Sequence, residues 1–410
     1  MYSEMRGRSK LGDVVTNSSR NYGFVCHLIH GIRSSVTNLR CDVVEGEAAE
    51  LGPKDFDAFT KFEYVLDGKY RCKFKDYAPA VFWQMRKMFG VDDEAYLDSV
   101  GQKEGLTEIS TEETGSKSGQ KFLISHDGRY FLKTATASEA RFFMKMLPDY
   151  YRHMKDHPNS LLCRFVGVHR LKPGKSHVLV MANVFDTERV IHQRFDLKGS
   201  TLGRRVSEAD RRAPTVILKD LNFLQEEKSI SLGPERKSVL MTQIRADSSF
   251  LCNMSVMDYS LLLGVHYRNQ EQQHADLEKT STGNARDADV GRATSRIAAD
   301  AKKTSRSISE DWRLVRTASL ESFTPAETHV SHFQIHDGGL ASVDISRSGM
   351  GITGEEIYFV GIIDILQHYN WRKRSETFFK SCRHNLAEIS AVDPQSYRDR
   401  FCDFMRSLME

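Results

Sequence analysis

The sequence predicts a large α/β or α+β protein with room for two lobes or domains, and three observations carry that prediction. Two strand-like runs, Lys121 to Ser125 and Arg129 to Thr134, flank His126-Asp127-Gly128, and Asp-Gly readily adopts the positive φ of a tight hairpin. Apolar residues recur at helical spacing elsewhere, at Leu28, Ile32, Val36 and Leu39 and again at Phe142, Phe143, Met146 and Leu147. The chain has 410 residues, more than the roughly 250 to 300 at which a single hydrophobic core stops growing.

Taken in order, residues 1–20 are polar and are expected to be disordered, and Phe24 to Leu39 predicts an amphipathic helix. A second helical pattern runs from Asp76 to Phe89, and Thr107 to Thr134 reads as strands. Ser138 is the expected N-cap of the next helix, with Glu139 in its first turn. Val178 to Ala182 predicts a strand leading to Asn183, the expected hinge between lobes. Beyond it come Phe195 to Arg205, a helix around Val239 to Met254 and a strand from Ser260 to His266. The character then changes: 14 of the 51 residues from Thr280 to Val330 are Ser or Thr, so the stretch offers too little apolar surface to offset its ordering entropy. Ile357 to Ile365 is a continuous apolar run typical of a buried strand. The expected organisation is a disordered N-terminus (1–20), an N-lobe (21–184), a C-lobe in two pieces (185–268 and 355–410) and a disordered insert (269–354).

Composition narrows the class. Net charge is only +3, so attraction to an anionic partner has to come from local patches, and no nucleic-acid partner is expected. Seven cysteines without a CxxC argue for reduced thiols inside the cell rather than a disulfide or zinc framework. No stretch approaches the ~20 apolar residues of a membrane span and the first residues carry no signal-peptide core, so any membrane contact is expected to be peripheral.

Three acidic or basic residues lie against apolar, strand-like runs: Asp258 in Met257 to His266 (MDYSLLLGVH), Asp364 in Gly361 to Leu366 (GIIDIL) and Lys133 after Tyr130-Phe131-Leu132. A carboxylate fixed at a strand edge by burial of its neighbours is usually placed there for chemistry or a metal. Together they supply the charges of phosphoryl transfer: a lysine for the nucleotide phosphates, one aspartate for the attacking hydroxyl, another for Mg²⁺. Thr114-Gly115-Ser116-Lys117-Ser118-Gly119 is a small-residue loop above Lys133, and the backbone N–H groups around Gly115, Ser118 and Gly119 are expected to face phosphate oxygens. Glu139 either pairs with Lys133 or complements the dipole of its helix. Gly349 to Gly354 is a literal GxGxxG, but it precedes a strand instead of following one and carries no dinucleotide reading. His153 and His157, four apart, are expected to be surface histidines.

These motifs, with Phe195 to Thr201 (FDLKGST), Lys75 to Pro79 (KDYAP) and Leu147 to Tyr151 (LPDYY), resemble the phosphatidylinositol phosphate kinases from about Lys75 to Met405, with one long interruption. The resemblance implies a two-lobed kinase-like fold, with an antiparallel sheet plus helices in the N-lobe and a smaller mixed C-lobe, using ATP and Mg²⁺. It implies Asp258 as the catalytic aspartate, Asp364 as the metal ligand and Lys133 as the nucleotide lysine. Gly115, Ser118, Gly119, Glu139 and Asn183 complete the expected nucleotide site. Lys198 and Arg204 match positions near the transferred or the lipid phosphate. The absence of HRDxxxxN, DFG and APE disfavours a protein kinase.

Trp371 to Lys380 mixes cations with aromatics and corresponds to the family's specificity loop, implying lipid contacts from Lys373, Arg374 and Glu376. Glu376 looks like type I enzymes, which phosphorylate the 5-hydroxyl of phosphatidylinositol 4-phosphate, whereas Ala387 to Pro394 looks like type II, the 5-phosphate 4-kinases. The specificity loop carries more weight, so a 5-kinase is expected. A catalytically weak scaffold of the same fold and a kinase of soluble inositol phosphates are the rivals. The expected partner is an anionic phosphoinositide membrane, on the cytosolic face and most naturally the plasma membrane, and the resemblance leaves a homodimer through the N-lobe open.

Overall fold

Helix α1, Tyr22–Val43, forms where the apolar spacing predicts it and buries Val25, Leu28, Ile29, Ile32 and Val36. Each such aliphatic side chain contributes on the order of 1.5 to 3 kcal/mol when fully removed from water. The computed structural model describes residues 13–43, 50–109, 120–268, 335–344, 352–368 and 393–410, apart from 67, 69, 103, 104, 175, 213–215, 227, 337 and 338. The chain divides into Met1–His266 with Ile335–Glu410, the unit described below, and Tyr267–Gln334, which lies almost wholly outside the described residues.

Eight strands make the first sheet: β1 (Asp13–Val14), β2 (Phe59–Leu66), β3 (Tyr70–Tyr77), β4 (Leu106–Ile109), β5 (Phe122–Ser125), β6 (Tyr130–Ala135), β7 (Phe165–Lys172) and β8 (Ser176–Ala182). Their order is β1-β4-β5-β6-β8-β7-β3-β2, antiparallel at every pairing. Helix α1 packs on this sheet so closely that a Cβ at Gly31 would lie 2.0 Å from the Phe74 ring, which only glycine permits. One core cluster joins the α1 residues to Phe74, Tyr96, Leu123, Leu132, Val178 and Val180.

The expected hairpin stands as read, with Phe122 to Ile124 in register with Lys133 to Phe131. The helix expected from Asp76 starts later. After α2 (Pro53–Asp57), helix α3 runs Pro79–Met88, because Ala78 turns the chain at φ 44 and Pro79 occupies a first-turn position that needs no donor. Asp76 is instead the next-to-last residue of β3, where it is buried and accepts a hydrogen bond from the Ser35 hydroxyl. After α4 (Asp93–Val100), helix α5 (Ala137–Asp156) is capped by Thr136 and not by Ser138. The Thr136 hydroxyl accepts from Glu139 N at 3.1 Å while the Glu139 carboxylate accepts from Thr136 N at 2.7 Å, a complete capping box.

The second sheet has the order β10-β9-β11-β14-β13-β12, from β9 (Gln193–Leu197), β10 (Leu218–Lys219), β11 (Ser260–Tyr267), β12 (Ile335–His336), β13 (Gly339–Asp344) and β14 (Ile352–Ile363). It is mixed, since β9 and β10 run parallel while β9 and β11 run antiparallel. Strands β12, β13 and the start of β14 fall inside the stretch 269–354 expected to be disordered. The Ser and Thr bias behind that expectation ends near Val330, and the chain beyond it satisfies its backbone by pairing along β14. Residues 269–334 lie outside the described residues. Helices α6 (Asp220–Gln225), α7 (Gly233–Asn253) and α8 (Pro394–Ser407) complete the element order, and the Ser248 hydroxyl on α7 lies 3.2 Å from Cys402 Sγ on α8. His153, expected at the surface, is buried on α5 with its imidazole against Asp247 of α7.

Candidate active site

Strand periodicity places Lys133. Leu132 is buried in the core of the first sheet, so the next residue faces the other side, where Lys133 Nζ lies 3.7 Å from Asp364 Oδ1 and 5.0 Å from the Phe122 ring centroid. The two side chains are 19% and 48% exposed, so the pair is open to a ligand on the carboxylate side. Beneath it sits Cys163, whose buried thiol is pushed up to about 12, first by burial and then by the Asp364 carboxylate, with Lys133 opposing.

Asp364 follows the last residue of β14 and adopts φ 61. Asp258, two residues before β11, adopts φ 64. Left-handed backbone is uncommon outside glycine and clusters at functional sites, where the surroundings hold it in place. Two contacts hold the two segments together: Val256 bridges His368, and Met257 N donates to Gln367 O at 3.0 Å. Tyr259, fully buried, is clamped by α8 between Tyr397 and Phe401, at ring separations of 4.7 and 5.0 Å, and its carbonyl accepts from the Tyr397 hydroxyl.

Lys198 follows β9 at the same end of the sheet, since Leu197 pairs with Leu261 near the start of β11. Its ammonium donates to Asp258 Oδ1 at 2.9 Å and to Asp258 O at 2.8 Å. Gly199 makes the turn possible: at φ 73, a Cβ would stand 2.9 Å from Phe404 Cβ on α8. Asp220, 1% exposed at the start of α6, pins the same turn by accepting from Lys198 N at 2.8 Å and Gly199 N at 2.7 Å.

Three residues expected to contact ligands are tied into the fold by their own hydrogen bonds. Arg204, expected near a substrate phosphate, is 8% exposed, donates to Asp220 Oδ2 at 2.6 Å and Asp196 Oδ1 at 2.9 Å, and also reaches Asp196 O. Burial opposes its charge, but Asp196 and Asp220 outweigh it and hold the guanidinium pKa above its usual value. Asn183 donates to Gly128 O at 2.8 Å and accepts from Phe185 N at 2.9 Å, tying the hinge to the β5–β6 turn. Glu139 closes the α5 cap and accepts from Gln120 Nε2 at 3.2 Å, while the ion pair of Lys133 is made with Asp364. Gly115, Ser118, Gly119, Lys373, Arg374 and Glu376 lie outside the described residues.

Sequence reasoning passed over Asp220 and Lys219. The Lys219 amine is depressed by burial first and then by Arg204, and Lys219 pairs in register with Asp196 on β9, the strand that leads to Lys198. Their signal was an acid and a base in Leu218-Lys219-Asp220-Leu221, a short run without the long apolar flank that marks Asp258 and Asp364.

A divalent cation suits this donor set. Among the described residues no group of three or more His, Cys, Asp or Glu could hold a metal alone. Mg²⁺ does not require such a cage, since it is usually bound through one or two carboxylates, nucleotide phosphates and water. The half-exposed Asp364 carboxylate fits that mode.

A strand lysine, a carboxylate at its tip and a second carboxylate held by a lysine form the charge set of phosphoryl transfer on a two-sheet α+β frame. The family model described as Phosphatidylinositol-4-phosphate 5-Kinase matches residues 101–408, and the chain belongs to that family. It is 34% identical over 417 residues to a phosphatidylinositol 4-phosphate 5-kinase of Schizosaccharomyces pombe, covering 97% of this chain and 54% of the relative. Two Arabidopsis thaliana proteins, phosphatidylinositol 4-phosphate 5-kinases 9 and 7, are 32% and 33% identical, covering 97% and 99% of this chain and 52% and 57% of their own lengths. The chain thus spans about half the length of these relatives. The resemblance read from FDLKGST, MDYSLLLGVH and GIIDIL is borne out, and with it the kinase fold.

Proposed function

We propose that this chain is an ATP-dependent lipid kinase that transfers the γ-phosphate to the 5-hydroxyl of phosphatidylinositol 4-phosphate, giving phosphatidylinositol 4,5-bisphosphate. The observation that carries the reading is the pairing of Lys133 on β6 with Asp364 just past β14, and of Lys198 just past β9 with Asp258 just before β11, the two aspartate segments being bonded to each other. Lys133 binds the nucleotide phosphates. Asp364 holds Mg²⁺, which when bound neutralises charge on the β- and γ-phosphates. Lys198 occupies one oxygen of Asp258 and leaves the other to orient the ring hydroxyl and take its proton as oxygen attacks γ-phosphorus and the bond to ADP breaks. Lys219 and Lys198 offset the charge gathered by headgroup and nucleotide.

Among the described residues no helix is long and apolar enough to cross a membrane. The enzyme reaches its lipid from the cytosolic face of a membrane, the plasma membrane first, through Lys373 and Arg374, with Glu376 selecting the hydroxyl.

The deciding experiment offers the purified chain liposomes carrying either the 4- or the 5-monophosphate lipid and determines the position of new phosphate. Asp364→Ala, Asp258→Asn and Lys133→Met should each abolish turnover while staying folded. Product from the 5-phosphate lipid alone would replace the 5-kinase reading with a 4-kinase, and full activity in any of the three variants would displace the site.

A further inference from the structure

Asp247 on α7 lies outside the site just described and is fully buried. A carboxylate removed from water is tolerated only when donors surround it. Here four do: His153 Nε2 at 2.7 Å, Ser160 Oγ at 2.8 Å and Gln243 Nε2 at 3.0 Å on Oδ1, and Leu161 N at 2.8 Å on Oδ2. Only Gln243 belongs to α7. The other donors come from the last turns of α5 and from the link that follows it, so the carboxylate fixes that link to α7.

The link is the strip against which β14 ends. Leu161, whose N–H is held by Asp247, accepts at its carbonyl from Ile362 N at 2.6 Å. Cys163 N donates to Ile362 O at 2.8 Å, and Leu162 and Ile362 form a parallel bridge. Ile362 stands two residues before Asp364, which sits in left-handed backbone, a conformation uncommon outside glycine even though aspartate tolerates it better than most residues. One residue, Leu161, therefore connects the buried carboxylate to the strand end that presents Asp364 to Lys133.

We infer that Asp247 is a positioning residue for Asp364: by clamping the 160–163 strip it sets the end of β14, and through it the carboxylate that receives the nucleotide-bound metal. The inference rests on the proposed reading of Asp364 as the metal-binding group. Its role differs from general stabilisation because the strip hydrogen-bonds directly to β14, whereas Lys133 is carried by β6, which pairs with β5 and β8.

The test measures ATP binding to the purified full chain with and without Mg²⁺, which needs no lipid and no turnover. In Asp247→Asn the gain in ATP affinity conferred by Mg²⁺ should shrink about tenfold, the usual scale for groups that orient a metal ligand. Binding of metal-free ATP should stay within about twofold of wild type, since the Lys133 contact is retained. Ser160→Ala removes one donor and should shrink the same gain about threefold, so the test survives if Asp247→Asn fails to fold. A folded variant that melts earlier yet keeps the full Mg²⁺-dependent gain would overturn the inference and reduce Asp247 to a structural clip. A wild-type chain whose ATP affinity ignores Mg²⁺ would instead overturn the metal reading of Asp364, and this inference with it.

Discussion

Removing the Arg204 guanidinium would leave Asp220 and Asp196 beside each other without the cation that offsets them, one of them almost fully buried. Breaking a buried ion pair on one side costs about 3 to 5 kcal/mol, whereas an exposed side chain that only touched a ligand would cost within ~0.5 kcal/mol. Arg204→Ala should therefore lower the denaturation midpoint markedly in the absence of any lipid, and an unchanged midpoint would return Arg204 to the role of a ligand contact. The same distinction explains which site residues were legible. Lys133, Asp258 and Asp364 announce themselves because long apolar runs flank them, and Lys198 because it sits in FDLKGST. The bonds that Arg204, Asn183 and Glu139 make were not legible, because they depend on Asp220, Gly128 and Thr136, partners that no local pattern names. Asp247 is hidden for the same reason, its donors lying as far as 94 residues away.

At the scale of elements, periodicity found α1, the β5–β6 hairpin, α5 and β11, while their ends followed chemistry that spacing alone does not resolve. Helix α5 is the clearest case. Thr136→Ala should cost about 1 kcal/mol by removing the cap, and Ser138→Ala close to nothing, so comparing the two unfolding curves decides between the capping residues. Helix α1 adds a pH dependence. His27 is buried on it, its ring 5.5 Å from that of Tyr64, and burial lowers its pKa, with His30 adding to the effect and a backbone hydrogen bond with Lys73 opposing it. The unfolded chain takes up this proton near ~6.5 while the folded chain resists it until lower pH, so the unfolded state binds more protons in between. Stability from this group is complete above the unfolded value and is lost as pH falls toward the folded one. Burial depresses His177 and His368 in the same direction. Melting temperature should fall between about pH 7 and about pH 5.5, less steeply in His27→Gln, and an identical slope in that variant would assign the effect to the other histidines.

For the whole molecule, the interruption between β11 and β12 is where composition and pairing draw different boundaries. Composition placed the edge of an insert near residue 354, yet β12 and β13 pair in sequence onto β14, the strand that ends at Asp364. Two deletions separate these boundaries. Replacing 270–334 with a ten-residue Gly-Ser linker leaves every described strand in place. The linker needs to span three strand spacings, roughly 15 Å, well within the reach of ten flexible residues. Because loop closure depends only weakly on length, that variant should melt within a few degrees of wild type and keep its Mg²⁺-dependent ATP affinity. Extending the deletion to residue 346 removes β12 and β13 and bares the edge of β14, where unpaired backbone groups invite association between chains. The longer deletion should lower the melting temperature, promote self-association on size-exclusion chromatography and weaken Mg²⁺-dependent nucleotide binding through the strand that carries Asp364. Equal behaviour of the two deletions would show that β12 and β13 add nothing to the sheet, and a large loss from the shorter one would show that residues 270–334 pack on the kinase core after all.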